Sequence, residues 1–195
     1  MTRSLAARLF LLSLLIPVVV VVATTHKPGA PGMVAGGSGE SAMTFVLRTN
    51  AFVPGGEIPA KYTCSGADLS PELSWKDLPG GTQALALIMD DPDAPGGTFT
   101  HWVLYNLDSR EKRLPESLPK TDRAVAGAFQ GRNDFGRLGY GGPCPPPGKS
   151  HRYFFKLYAL DSRLNIEAGA TRKELELAMK GHMLGQADLM GTFKR

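Results

Sequence analysis

The sequence predicts a mainly β domain whose helical structure is confined to its C-terminal part. Three observations carry that prediction. From Thr44 to Leu160 the apolar residues come in short runs cut by Gly, Pro, Asn and Asp, the pattern of strands rather than helices. A helix-start signal appears only at Thr171. The first forty or so residues do not read as globular, which leaves roughly 150 residues for one domain around one core.

The N-terminal segment has its own signature. Arg3 and Arg8 precede an apolar run from Leu9 to Ala23, interrupted by Ser13 and Pro17. A basic start followed by a short apolar stretch reads as a secretory signal peptide or, if it is retained, as an N-terminal membrane anchor. A spanning helix usually needs about 20 apolar residues, and this run is shorter. Val21-Val22-Ala23 offers small residues for cleavage without forming a clean A-x-A site. Residues 24–42 are rich in Gly, Pro, Ser and Thr and read as a flexible linker, since such a composition buries too little to offset its ordering entropy. The expected organisation is a signal or anchor over 1–23, a linker over 24–42 and a folded domain over 43–195. Export to the periplasm or the extracellular space follows, with the N-terminal segment as the domain's only membrane contact.

Within the domain, Phe45 to Leu47, Leu73 to Trp75, Ala84 to Met89, Trp102 to Tyr105 and Tyr153 to Leu160 read as strands. Ala84 to Met89 is continuously apolar and predicts a central strand buried on both faces. Tyr153, Phe155, Leu157 and Ala159 alternate with Arg152, Lys156 and Tyr158, as in a strand with one wet face. Between Leu107 and Arg152 the chain is dense in Gly and Pro, and a connection that long in a compact domain is usually functional. Thr171 with Glu174 forms a capping box opening a helix with Leu175 and Met179 on one side. Gly181 ends or bends it, and Gln186 to Met190 is expected to form a second helical turn.

Several function classes lose support. The formal charge of +4 is scattered, without a run of Lys and Arg or interleaved aromatics, so nucleic-acid binding is not indicated. HxH, HExxH and CxxC spacings are absent, as is a G-x-S-x-G elbow. Gly148-Lys149-Ser150 resembles the end of a phosphate-cradling loop. Pro143 stands where that motif needs its first Gly, and Pro145, Pro146 and Pro147 lack the N–H groups that would cradle phosphate. No enzymatic motif and no cofactor is implied.

Two segments do carry chemistry. One is Asp90-Asp91-Pro92-Asp93-Ala94-Pro95, followed by His101-Trp102; the other runs from Gly139 through Pro147-Gly148 to His151-Arg152-Tyr153. Both set acidic residues or His at junctions of strands and stiff loops, where Pro fixes φ and Gly permits close backbone approach. They can frame a preformed pocket whose polar lining is Asp91, Asp93, His101, His151 and Tyr153. A carboxylate near His favours the imidazolium, which predicts a raised His pKa and a charged donor for an anion.

The strings DPDAP at Asp91–Pro95, His101-Trp102, GPCPPPG at Gly142–Gly148 and HRY at His151–Tyr153 occur in one order. In this the chain resembles the phosphatidylethanolamine-binding family, in its bacterial, Raf-kinase-inhibitor-like branch. The likeness runs from Phe52 to Gly191-Thr192-Phe193. It implies a β-sandwich of a large antiparallel sheet and a smaller one, with helices near the C-terminus. It also implies that Asp91, Asp93, Pro95, His101, Gly142, Pro145, His151 and Tyr153 form a site for a small anion such as phosphate or a phospholipid headgroup. Inhibition or regulation of a kinase or protease belongs to the same implication. The rival reading is a metal-assisted or other hydrolase using the Asp and His residues.

Cys64 and Cys144 are the only cysteines. In an oxidising compartment an even count favours a bridge, which would fasten the proline-rich loop to the N-terminal part of the domain. The alternative is two buried free thiols.

Overall fold

A computed structural model describes residues 44–195. The expected signal or anchor and the linker lie outside the described residues. Nine strands and one short α-helix are described: β1 (Val46–Arg48), β2 (Leu73–Lys76), β3 (Ala84–Asp91), β4 (Phe99–Asp108), β5 (Arg113–Leu114), β6 (Phe129–Arg132), β7 (His151–Leu160), β8 (Gly169–Thr171), α1 (Arg172–Ala178) and β9 (Met183–Phe193). They form a three-stranded sheet, β1-β2-β5, and a six-stranded sheet, β8-β6-β4-β3-β7-β9. All pairings are antiparallel except β6 with β8, which run parallel.

The continuous apolar run of β3 has a direct cause. Leu85, Leu87 and Met89 pack with Leu47, Leu73 and Trp75 of the small sheet in the core between the sheets. Ala86 and Ile88, on the other face, pack with Leu175 and Met179 at the helix. Strand β3 is therefore covered on both sides, as a two-sided apolar strand must be. The helix starts as expected, with Thr171 Oγ1 accepting from the Glu174 amide and the Glu174 carboxylate accepting from the Thr171 amide.

The expected helical turn at Gln186 to Met190 is not formed. These residues belong to β9, which pairs with β7 from His151↔Phe193 to Leu160↔Met183. Ala187, Leu189 and Phe193 alternate inward along it, and pairing on β7 overrides the helix-forming character of Ala, Leu and Met. The one α-helix among the described residues is accordingly small. The Gly- and Pro-rich stretch after Leu107 is also more ordered than its composition suggests, since it contains β5 and β6.

One irregularity matters for the site. Met89 pairs with Trp102 and Asp90 with Thr100, which leaves His101 as an extra residue in β4. Such a bulge re-aims a side chain that strict alternation would send to the opposite face. His101 consequently points to the side of Trp102 and Tyr153, its ring centroid 5.2 Å from that of Tyr153.

Candidate functional site

The strands run further than their apolar cores, and the extensions bring the polar residues together. Asp91 is the last residue of β3, His101 lies inside β4 and His151 is the first residue of β7. Asp91 Oδ2 accepts from His151 Nδ1 at 2.8 Å, and its Oδ1 accepts from the Asp93 amide at 2.8 Å. Asp91, Pro95, His101, Pro145 and His151 line one cavity of about 190 Å³, together with Ala94, Phe99, Phe135, Cys144 and Pro146.

The remaining expected site residues stand elsewhere. Tyr153 is buried behind His101, stacked edge-on against its ring. Its hydroxyl has no well-formed hydrogen bond among the described residues, and burial followed by the Asp91 charge pushes its ionisation far upward. Asp93 is turned away and holds Arg152, accepting from its amide and Nε at 2.9 Å and from Nη2 at 2.6 Å. Those Arg152 hydrogen bonds hold its carboxyl down at about 2. Asp93 thus ties the DPDAP turn to β7 instead of lining the cavity. Gly142 lies beneath the proline loop, where its amide donates to Asp68 Oδ1 at 2.6 Å.

The raised pKa expected for a His beside a carboxylate does not hold for His101. Burial pushes its pKa below the ordinary histidine value, outweighing the Gly141 carbonyl and the Asp91 charge, which act the other way. His101 Nδ1 lies 2.7 Å from the Gly141 carbonyl. A carbonyl only accepts, so Nδ1 carries the proton and Nε2 of the neutral ring is an acceptor. The Gly141 amide returns a hydrogen bond to the His101 main-chain carbonyl at 2.9 Å, so Gly141 holds both the backbone and the ring of His101.

The proline-rich loop is pinned to the 60s segment. Cys64 and Cys144 form a disulfide with their Cα atoms 5.3 Å apart, and the Cys64 amide donates to the Pro143 carbonyl at 3.1 Å. The open question of bridge or free thiols is therefore decided for the bridge. Cys144 is itself part of the cavity wall.

Phe99 and Phe135 escaped the sequence reading. Their rings meet edge-on at 4.7 Å and both contact His101. Phe99 stands two residues before His101 in a strand, a signal that was available. Phe135 comes from the loop after β6, placed by Asn133 Oδ1 accepting its amide at 3.1 Å and by Asp134 Oδ2 accepting from Thr100 N at 2.7 Å. Nothing local in the sequence marks that loop as a wall.

A wider and more open cleft of about 490 Å³ lies on the opposite face of the sheet, bordered by Asp90, Arg152, Lys156 and Arg172. Asp90 pairs with Lys156 and Arg172 within it, and Arg152 pairs with Asp93 beside it. Among the described residues no group of three His, Cys, Asp or Glu is arranged to hold a metal ion.

Residues 48–194 match the family model of phosphatidylethanolamine-binding proteins. The chain belongs to the phosphatidylethanolamine-binding protein family. A UPF0098 protein of Aquifex aeolicus is 54% identical over 149 residues, covering 75% of this chain and 86% of that protein. One from Methanothermobacter thermautotrophicus is 51% identical over 149 residues, 76% of this chain and 98% of the relative. Among solved structures, a phosphatidylethanolamine-binding protein homologue from Chlamydia trachomatis superposes with a TM-score of 0.71 at 41% identity, over 77% of this chain and 97% of that one. Escherichia coli YbcL, described as a new member of the mammalian family, gives 0.73 at 30% identity over 77% and 98%. The expected sandwich of a large and a small sheet is that of the phosphatidylethanolamine-binding fold.

Proposed function

We propose that this family member is an exported binding protein whose cavity takes a small anion of phosphate chemistry together with a proton. The observation that carries the reading is the fixed tautomer of His101. With Nδ1 committed to Gly141, its Nε2 is an acceptor in a cavity that also holds Asp91 and His151. Among the described residues no Lys or Arg lines the walls. Such a site suits an oxyanion that brings its own proton, as the phosphate monoanion does, or one whose binding protonates an imidazole. The Cys64–Cys144 bridge agrees with an oxidising compartment. Regulation of a kinase or protease through the loops at the mouth is the second half of the proposal, supported by the family and by the exposure of Phe135 and Pro146.

Calorimetry with inorganic phosphate tests the anion reading. His101→Ala should weaken binding by about 1.5 kcal/mol, the scale of a hydrogen bond to a charged group. Sulfate, which carries no proton at neutral pH, should bind less well than phosphate. Phosphorylethanolamine and vesicles containing phosphatidylethanolamine, titrated in parallel, separate a free phosphate compound from a lipid headgroup. Unchanged affinity in a folded His101→Ala variant rejects the reading. A stable complex with a kinase or protease on size exclusion would support the regulatory half, and its absence across a panel of such enzymes would count against it.

A further inference from the structure

The cavity interior carries the Asp91 carboxylate and two imidazoles, of which His101 resists protonation because it is buried. Beside it, Asp134 is held by the Thr100 amide and Asp93 is neutralised by Arg152. The walls thus present a carboxylate and, among the described residues, no Lys or Arg, so a fixed cation for an entering anion has to stand at the rim.

Two guanidiniums touch the walls from outside. Arg137 lies over the Phe135 ring, 5.2 Å from its centroid, with its amide donating to Asn133 Oδ1 at 3.1 Å. Arg195 places Nη1 3.6 Å from Cys144 Sγ, and its carbonyl accepts from the Gly148 amide at 3.3 Å. Phe135 and Cys144 both line the cavity, one from the loop after β6 and the other from the proline-rich loop. Both arginines are exposed. Arg110, Arg152 and Arg172 are each spent on a carboxylate, whereas neither rim guanidinium forms an ion pair among the described residues.

We propose that Arg137 and Arg195 form a cationic rim that draws in and retains the anion, supplying the positive charge the interior lacks. This rests on the anion reading given above. A rim charge acts through partly solvated space, so its effect is modest and screened by salt.

The test is titration of the full chain with inorganic phosphate at low and high ionic strength. Arg137→Ala and Arg195→Ala should each weaken binding about three- to five-fold at low salt, and the double variant about ten-fold or more. The differences should shrink at high salt. Both sites are exposed, so melting temperatures should not move. Lys149→Ala removes an exposed cation from the same proline-rich loop and should leave affinity unchanged. Wild-type affinity in the double variant at low salt overturns the rim. An equal loss in Lys149→Ala also overturns it, since binding would then follow overall charge. Failure of the wild type itself to bind phosphate would instead overturn the anion reading, and the rim with it.

Discussion

Asp90 and Asp91 are consecutive residues of β3 whose carboxylates serve opposite faces of the six-stranded sheet. Asp91 accepts from His151 at 2.8 Å in the cavity, while Asp90 Oδ2 holds Lys156 at 2.9 Å and Arg172 at 3.1 Å on the helix side. Strand alternation produces the split, and it separates a cavity-facing carboxylate from one that pairs with cations on the helix side.

The two should respond differently to substitution. Asp90→Ala leaves the partly buried Lys156 without its counter-charge and Arg172 with Glu176 alone, and should cost about 2 kcal/mol, below the range for fully buried pairs because both cations keep some solvent. Phosphate affinity should change little. Asp91→Asn should act the other way, with a smaller stability loss of about 1 kcal/mol and tighter phosphate binding, because the carboxylate that faces the entering anion is gone. Urea unfolding paired with calorimetry separates these outcomes.

Acid should destabilise the protein in two stages. The folded pKa of His101 lies below its ordinary value, so as pH falls past about 6.5 the unfolded chain takes up a proton that the folded chain refuses. Stability drops from there down to the folded pKa. The Asp93 carboxyl is held at about 2, so its contribution is present above the unfolded carboxylate value and is lost as pH falls from about 4 towards 2. Melting temperature against pH should lose the first stage in His101→Gln and flatten in the second in Asp93→Asn.

The disulfide should contribute substantially to stability. It closes a separation of 80 residues, for which chain-entropy reasoning gives about 4 kcal/mol as an upper figure. A Cys64→Ser, Cys144→Ser double variant should therefore unfold at markedly lower urea. Alkylation of non-reduced wild type should modify no thiol, and two modified thiols would refute the bridge.

Two neighbouring glycines should behave unlike each other. A Cβ at Gly142 would lie 2.4 Å from the Tyr62 carbonyl oxygen and 2.8 Å from Thr63 Cα, both backbone atoms that cannot step aside. Gly142→Ala should cost about 2–3 kcal/mol. At Gly141 the Cβ would meet the Phe135 ring at 2.6 Å, the end of a side chain that can rotate outwards. Gly141→Ala should cost about 1 kcal/mol or less but alter phosphate affinity by displacing a cavity wall. Thermal melts and phosphate titrations of the two variants check both statements.

Much of the architecture was legible in local chemistry. The unbroken apolar run of β3, the alternation along β7 and the Thr171–Glu174 capping box each follow from burial or hydrogen bonding within a few residues, so the sequence alone determined them. The ordered strings around Asp91, His101 and His151 likewise pointed to one site before any geometry was known. Tertiary structure decided what depends on partners distant in the chain. Gln186 to Met190 becomes a strand because β7 supplies its hydrogen bonds, and Asp93 leaves the cavity because Arg152 takes it. Phe135 becomes a wall only when its loop returns to Thr100. His101 reaches the cavity through a bulge set by its register against β3, and its charge is governed by burial over the nearby carboxylate. Register and desolvation are properties of the packed whole, and no window of neighbouring residues contains them.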